Sequence, residues 1–373
     1  VADMESFLAS FDAEPGYLDW ASFGPLSPSV RAEAGADTEL LGSGRRSSLD
    51  LVGGHVADAR ELLAGMLDAA PDQVVLQPST TYGLMHAIYG VAGGLLVSRA
   101  EFPSLTVTAQ RAADALGSLQ VQWMDPEDGM VTPELVRASL TDDTRALAVS
   151  LVDFRTGYRA DLTALRDVIG DRLLIVDAIQ GFGVVDADYG AADVVCANGY
   201  KWLRAGRGTG FARFGERALE RLAPVLSGFA GTDGDLPVDV VPLPSASARA
   251  FTVAWPDALA ASRLAAALRE IAEVGVSAIE GEVAGRARDV FFTADRYGIP
   301  VLTPREPAQH AGIVTLAPAP QDAAPLAASL ANHGITVTVR SGLIRVAPHA
   351  GTGADSIRLL GDALAEFSAA RVW

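Results

Sequence analysis

Between residues 70 and 215 the chain alternates short apolar runs with stretches of helical periodicity, and this alternation limits the fold more than any other feature. The runs cover residues 73–76, 95–97, 121–124, 146–149, 173–176, 194–196 and 210–214. Runs this short and this apolar read as strands buried on both faces. Residues 105–116, 133–140 and 162–169, lying between them, repeat apolar side chains at helical spacing. The pattern predicts an α/β architecture around a mostly parallel seven-stranded sheet, in which ligands collect beyond the carboxyl ends of the strands.

The chain has 373 residues, and at ~150 residues per domain that length suggests two domains. A Pro/Ser-rich, strand-poor segment over 227–247 supplies a boundary. Beyond it come a long Ala-rich helical stretch (258–292), apolar runs at 299–302 and 312–316, a helix near 325–333, paired strands at 335–339 and 343–346 about a Ser341-Gly342 turn, and a last helix over 355–367. The division is a large α/β domain over residues 20–250 and a smaller α+β domain made of 1–19 and 251–373.

A formal charge of −17 argues against a broad nucleic-acid or anionic-membrane surface, so the expected partner is a small molecule. The longest apolar-looking run, 84–97, falls short of the ~20 residues that span a bilayer. One cysteine, Cys196, excludes an internal disulfide and a cysteine metal cluster, and no cationic segment followed by an apolar one opens the chain. The expectation is a cytoplasmic protein.

The 29 Lys and Arg residues include a single lysine, Lys201. Where only surface charge is needed either cation serves, but only lysine can lose its proton and attack a carbonyl. Lys201 follows the strand at 194–196, and Asp177 ends the neighbouring run, Leu174-Ile175-Val176-Asp177. An aldehyde cofactor with a basic ring nitrogen needs this pair: an amine to form an imine, and a carboxylate to keep the nitrogen protonated as an electron sink. Taken alone, Asp177 reads more readily as a strand-end residue capping the next turn. Upstream, Gln77-Pro78-Ser79-Thr80-Thr81-Tyr82-Gly83 joins a strand to a helix, where hydroxyls and unpaired amides suit a phosphate or form an ordinary N-cap.

Three segments together carry a family resemblance. They are the Asp177/Gln180 strand end, Gly199-Tyr200-Lys201-Trp202-Leu203 followed by Gly206-Arg207-Gly208-Thr209-Gly210, and Leu343-Ile344-Arg345-Val346-Ala347-Pro348-His349. In order and spacing the chain resembles the class V aminotransferase branch of fold-type I pyridoxal-phosphate (PLP) enzymes, which includes cysteine desulfurases and kynureninases. The resemblance implies that Lys201 forms the Schiff base, Asp177 pairs with the pyridinium nitrogen and Gln180 bonds the phenolic oxygen. It assigns Thr80, Thr81 and Tyr200 to the phosphate, Phe102 to stacking on the ring, and Arg345 to a substrate α-carboxylate, which a guanidinium grips in a fork. It also implies a homodimer, in which Trp255 stands where relatives carry a threonine that reaches the partner's phosphate.

Phe102-Pro103-Ser104, Asp153-Phe154-Arg155-Thr156-Gly157 and Tyr200-Lys201 are similar to the kynureninase side, although Gln180 and Leu105 stand where kynureninases carry histidine and aspartate. The implied activity is amino transfer on an α-amino acid, with kynureninase-like or C–S lyase chemistry as the alternative. Cys196, inside an apolar run, reads as a core residue, and no cysteine lies between 316 and 349 to accept sulfur. The five histidines show no metal-ligand spacing, so no metal site is expected. Arg340 reads equally as a substrate contact and as a surface charge.

Overall fold

A computed structural model describes residues 3–126, 128–234 and 239–370. Residues 1–2 and 371–373, at the ends of the expected smaller domain, and 235–238, within the Pro/Ser-rich segment, lie outside them. In chain order the elements are α1 (Met4–Ala9), α2 (Pro28–Gly42), α3 (Arg46–Met66), β1 (Val74–Gln77), α4 (Thr80–Tyr89), β2 (Gly93–Ser98), α5 (Pro103–Leu116), β3 (Leu119–Met124), α6 (Pro133–Ser139), β4 (Thr144–Ser150), α7 (Leu162–Ile169) and β5 (Leu173–Asp177). They continue with β6 (Val194–Asn198), β7 (Gly210–Phe214), α8 (Glu216–Arg221), α9 (Ala258–Val274), α10 (Val276–Arg296), β8 (Val314–Leu316), α11 (Ala323–Asn332), β9 (Thr338–Arg340), β10 (Leu343–Val346) and α12 (Ala354–Ala370).

All seven expected runs are strands of one sheet, ordered β1-β7-β6-β5-β4-β2-β3. The pairs from β3 through β6 are parallel, and β7 alone runs against both its neighbours, β1 and β6. β1 therefore points the same way as β6. The carboxyl ends of β1, β2, β4, β5 and β6 share one edge, which brings Thr80, Phe102, Asp153, Asp177 and Lys201 to the same side of the sheet. Register aligns Ser150 with Asp177 and Asp177 with Cys196.

Apart from the part-exposed edge strand β3, both faces of the sheet are buried, as the continuous apolar runs require. One face packs Leu147, Val149, Leu174, Val176 and Phe211 against Leu63 of α3 and Leu264 and Leu268 of α9. The other packs Val97, Ala148, Ile175 and Phe214 against α4 and α5, and Cys196 is buried in this layer.

A second, antiparallel sheet, β8-β10-β9, is covered by α10, α11 and α12 through a core that includes Leu18, Phe291, Leu316, Leu326, Ile344 and Leu364. Its hairpin turns at Ser341 (φ +51°) and Gly342 (φ +79°), the paired left-handed residues of a tight two-residue turn. The Ala-rich stretch expected as one helix is two, because Gly275 adopts φ +91° between α9 and α10. The apolar run at 299–302 contributes only an isolated bridge from Val301 to Leu316. No helix among the described residues is long and apolar enough to cross a membrane.

Candidate active site

Lys201 lies in a tight turn after β6. The Gly199 N–H donates to Thr209 O (3.0 Å), the Ala205 N–H to Gly199 O (2.8 Å), and the Arg204 N–H to Lys201 O (3.0 Å). Arg204 closes the turn in the left-handed region (φ +60°). Gly24 packs on the turn so closely that a Cβ there would stand 1.9 Å from the Lys201 carbonyl oxygen. The lysine is 7% exposed, with Nζ 5.9 Å from the Phe102 ring centroid and 5.6 Å from that of Tyr200. Burial pulls its amine well below the usual lysine range; Asp177 opposes that fall and Arg345 adds to it. A neutral fraction near physiological pH is what nucleophilic use of an amine requires.

Asp177 ends β5 with 2% exposure and accepts the Ile179 N–H at Oδ1 (3.0 Å). Burial raises its carboxyl above the ordinary aspartate range, while the Ile179 N–H and the Lys201 charge hold that rise in check. Gln180 is fixed at both ends of its amide: Nε2 donates to Ala21 O (3.0 Å), and Oε1 accepts the Trp202 indole N–H (2.9 Å). The amide therefore cannot flip, and its second Nε2 hydrogen remains to donate. Trp202 is held in turn by His349, whose Nδ1 accepts the Ala350 N–H (2.7 Å), leaving the protonated Nε2 to donate to Trp202 O (2.9 Å).

α4 begins at Thr80 behind an extended Ser79 (φ −163°). Its first-turn amides lack intrahelical acceptors, and the Thr80 hydroxyl is buried without a hydrogen-bond partner. Thr81 Oγ1 pairs with Ser104 Oγ (2.8 Å), which links this helix to the start of α5. Gly210 lets β7 pass close by, since a Cβ there would lie 2.6 Å from Ser79 Cα. Phe102 stands edge-on to Phe154 (5.1 Å, 83°), and the Tyr200 ring faces the Arg207 guanidinium (4.7 Å). Arg345, on β10, donates to Phe154 O (3.1 Å), Ser22 Oγ (2.6 Å) and Thr338 Oγ1 (3.2 Å), and pairs with Asp19 (3.4 Å).

Lys201, Asp177, Gln180, Phe102, Tyr200 and Arg345 thus gather around the lysine, with Thr80 and Thr81 on the same sheet edge. Trp255 does not join them within the chain. It is 61% exposed, packs on Phe229 (5.6 Å) and Arg249 (5.8 Å), and lines a separate cavity of about 400 Å³ with Pro78, Tyr82 and Gly208. Two groups escaped the sequence reading. Trp202 orients Gln180. Glu101 is buried with both carboxylate oxygens on Ser150, one on its N–H (2.9 Å) and one on its hydroxyl, and burial lifts its carboxyl to about 7. Its place immediately before Phe102 was the available signal.

The family model for aminotransferase class-V matches residues 38–351. The chain belongs to the class V aminotransferase family. Among curated relatives, the kynureninase of Deinococcus radiodurans is 30% identical over 268 residues, 68% of this class V chain and 63% of that protein. The cysteine desulfurase IscS of Ectopseudomonas mendocina is 30% identical over 190 residues, 47% of this chain and 46% of that one. The match therefore spans less than two thirds of either relative. Among solved structures, the cystine C–S lyase C-DES bound to its product cysteine persulfide superposes with a TM-score of 0.85 at 18% identity, covering 95% of this chain and 98% of that one; this likeness shows the fold.

The cofactor of the class V family is pyridoxal phosphate, and the residues present fit it. A buried, unpartnered hydroxyl at a helix N-terminus suits a phosphate, and Asp177 and Lys201 supply the carboxylate and the amine that the ring nitrogen and the aldehyde require.

Proposed function

We propose that this class V chain acts at Cα of an α-amino acid and that its reaction is amino transfer. The observation that carries the proposal is the gathering of a desolvated lysine, a buried strand-end aspartate and a largely buried arginine at the carboxyl edge of the sheet. Pyridoxal phosphate, when bound, supplies an aldehyde and an electron sink. Lys201 would hold it through its amine and, once displaced by substrate, take and return the proton at Cα. Asp177 would keep the ring nitrogen protonated, and Gln180 would donate its free amide hydrogen to the phenolic oxygen. Thr80, Thr81 and Tyr200 would hold the phosphate, while Phe102 covers one ring face and excludes water. Arg345 would hold the substrate α-carboxylate and so set which Cα bond faces the ring. In a homodimer Trp255 would meet the partner's phosphate region, an arrangement consistent with its exposure here; an active protein that light scattering finds at one chain mass would refute it.

A second reading, lyase chemistry, draws on the names of relatives: a kynureninase and a C–S lyase stand among the similar proteins. Product stoichiometry separates the two. Loaded enzyme is mixed with single amino acids in the absence of any keto acid. Amino transfer yields at most one keto acid per site until a keto acid acceptor is added. Sustained release of alanine, an aromatic amine or a thiol without acceptor would refute amino transfer in favour of a lyase.

A further inference from the structure

Beside Arg345 the β9–β10 hairpin and the 153–157 loop enclose a cavity of about 190 Å³, whose lining includes Phe154, Arg155, Thr338, Arg340 and Arg345. One guanidinium suffices for an α-carboxylate, yet three surround this space in a chain of net charge −17. All three meet at Phe154. Arg345 donates to its carbonyl (3.1 Å), and the Arg155 and Arg340 guanidinium carbons lie 5.6 Å and 6.0 Å from its ring centroid.

Their charges are poorly matched inside the protein. Arg345 has Asp19 at 3.4 Å; among the described residues, Arg155 has only Asp153, at 3.9 Å, and no carboxylate lies within 4 Å of Arg340. Nε and NH2 of Arg155 and Nε of Arg345 are buried without hydrogen-bond partners. Clustered guanidiniums repel one another, and buried donors left unpaired are costly, so such a site gains most from an incoming anion. The cavity also adjoins the reacting centre: Phe154 packs edge-on to Phe102, the ring over which Lys201 Nζ lies.

We propose that Arg340 and Arg155 form a side-chain subsite that selects α-amino acids ending in a second anionic group, a carboxylate or a sulfinate. This rests on the proposed action at an α-amino acid, with Arg345 taking the α-carboxylate. Arg340, exposed on the hairpin, and Arg155, from the 153–157 loop, line the same cavity and meet the side-chain anion together. Uncharged side chains of equal size leave both guanidiniums unmatched and bind less well, since a site built for a polar partner discriminates strongly against its absence.

The test is a titration of the PLP-loaded protein, followed through the cofactor absorption band, with L-aspartate, L-glutamate and L-cysteine sulfinate against L-asparagine and L-glutamine. The expected result is binding of an anionic member at least about tenfold tighter than its uncharged counterpart, a preference that weakens with salt. Arg340→Gln is expected to lower affinity for the anion far more than for the amide, and Arg340→Lys, which keeps the charge, to retain part of the preference. Equal affinity for aspartate and asparagine, with both shifting the band, would overturn the subsite and leave the proposed function standing. A band that no amino acid shifts would overturn the proposed function, and the subsite with it.

Discussion

Trp202→Phe tests whether Gln180 is held by the indole. In the native chain the indole N–H donates to Gln180 Oε1 at 2.9 Å, and both side chains are buried. Phenylalanine keeps an aromatic ring but removes the donor, leaving a buried amide oxygen without its partner at a cost of about 1–3 kcal/mol. The far edge of the indole also packs so tightly on Gly312 that a Cβ there would meet it at 3.0 Å, so the smaller ring opens a gap worth about 1–2 kcal/mol more. The expected loss is therefore about 2–5 kcal/mol, read from urea unfolding of the cofactor-free protein. A double-mutant cycle with Gln180→Ala isolates the hydrogen bond, because removing the acceptor removes that part of the penalty; the coupling should be about 1–2 kcal/mol. A coupling below about 0.3 kcal/mol would refute the assignment of Trp202 as the group that orients the amide.

Thr80→Val removes a buried hydroxyl that has no partner among the described residues, so it should leave apoprotein stability near native while weakening PLP binding about tenfold in an absorbance titration. The cost of His349→Asn should depend on pH. Burial lowers the imidazole from 6.5 to about 3, so the unfolded chain takes up a proton that the folded chain refuses. The stability that neutral His349 contributes is thus present above pH 6.5 and is lost as pH falls toward 3. The penalty for the substitution should shrink between pH 7 and pH 5, by up to about 1.4 kcal/mol per pH unit, in paired urea titrations. Comparing variants is necessary because Glu101, raised to about 7, drives total stability the opposite way over much of that range.

The sheet was legible because its strands are apolar on both faces, a pattern that needs no tertiary information. Lys201 and Asp177 were legible for a related reason: Asp177 ends β5 and Lys201 follows the adjacent β6, so linear order already implied spatial proximity. The N-terminal helices were less so. α2 buries little beyond Val30 and Asp37 and shows no apolar stripe, whereas α3 spaces Val52, Ala59 and Leu63 along one face but carries Gly53 and Gly54 among its turns. Contacts that join distant segments left no local signature, as with His349 on Trp202 or Gln180 on Ala21. The same holds for His55, which linear spacing separates from any ligand pattern but which packs across α2 and α3 within 3.4 Å of Glu33 and 3.3 Å of Asp37. The break at Gly275 was hidden because the Ala-rich composition continues on both sides of it.

The most direct test of the central claim uses the chain's single lysine. The protein is loaded with pyridoxal phosphate, reduced with borohydride, digested, and its peptides are weighed by mass spectrometry. The account predicts one reduced cofactor per chain, carried on Lys201, and none in Lys201→Ala, where the phosphate contacts and Asp177 retain the cofactor reversibly. A protein that binds the cofactor yet yields an unmodified Lys201 peptide after reduction would contradict it.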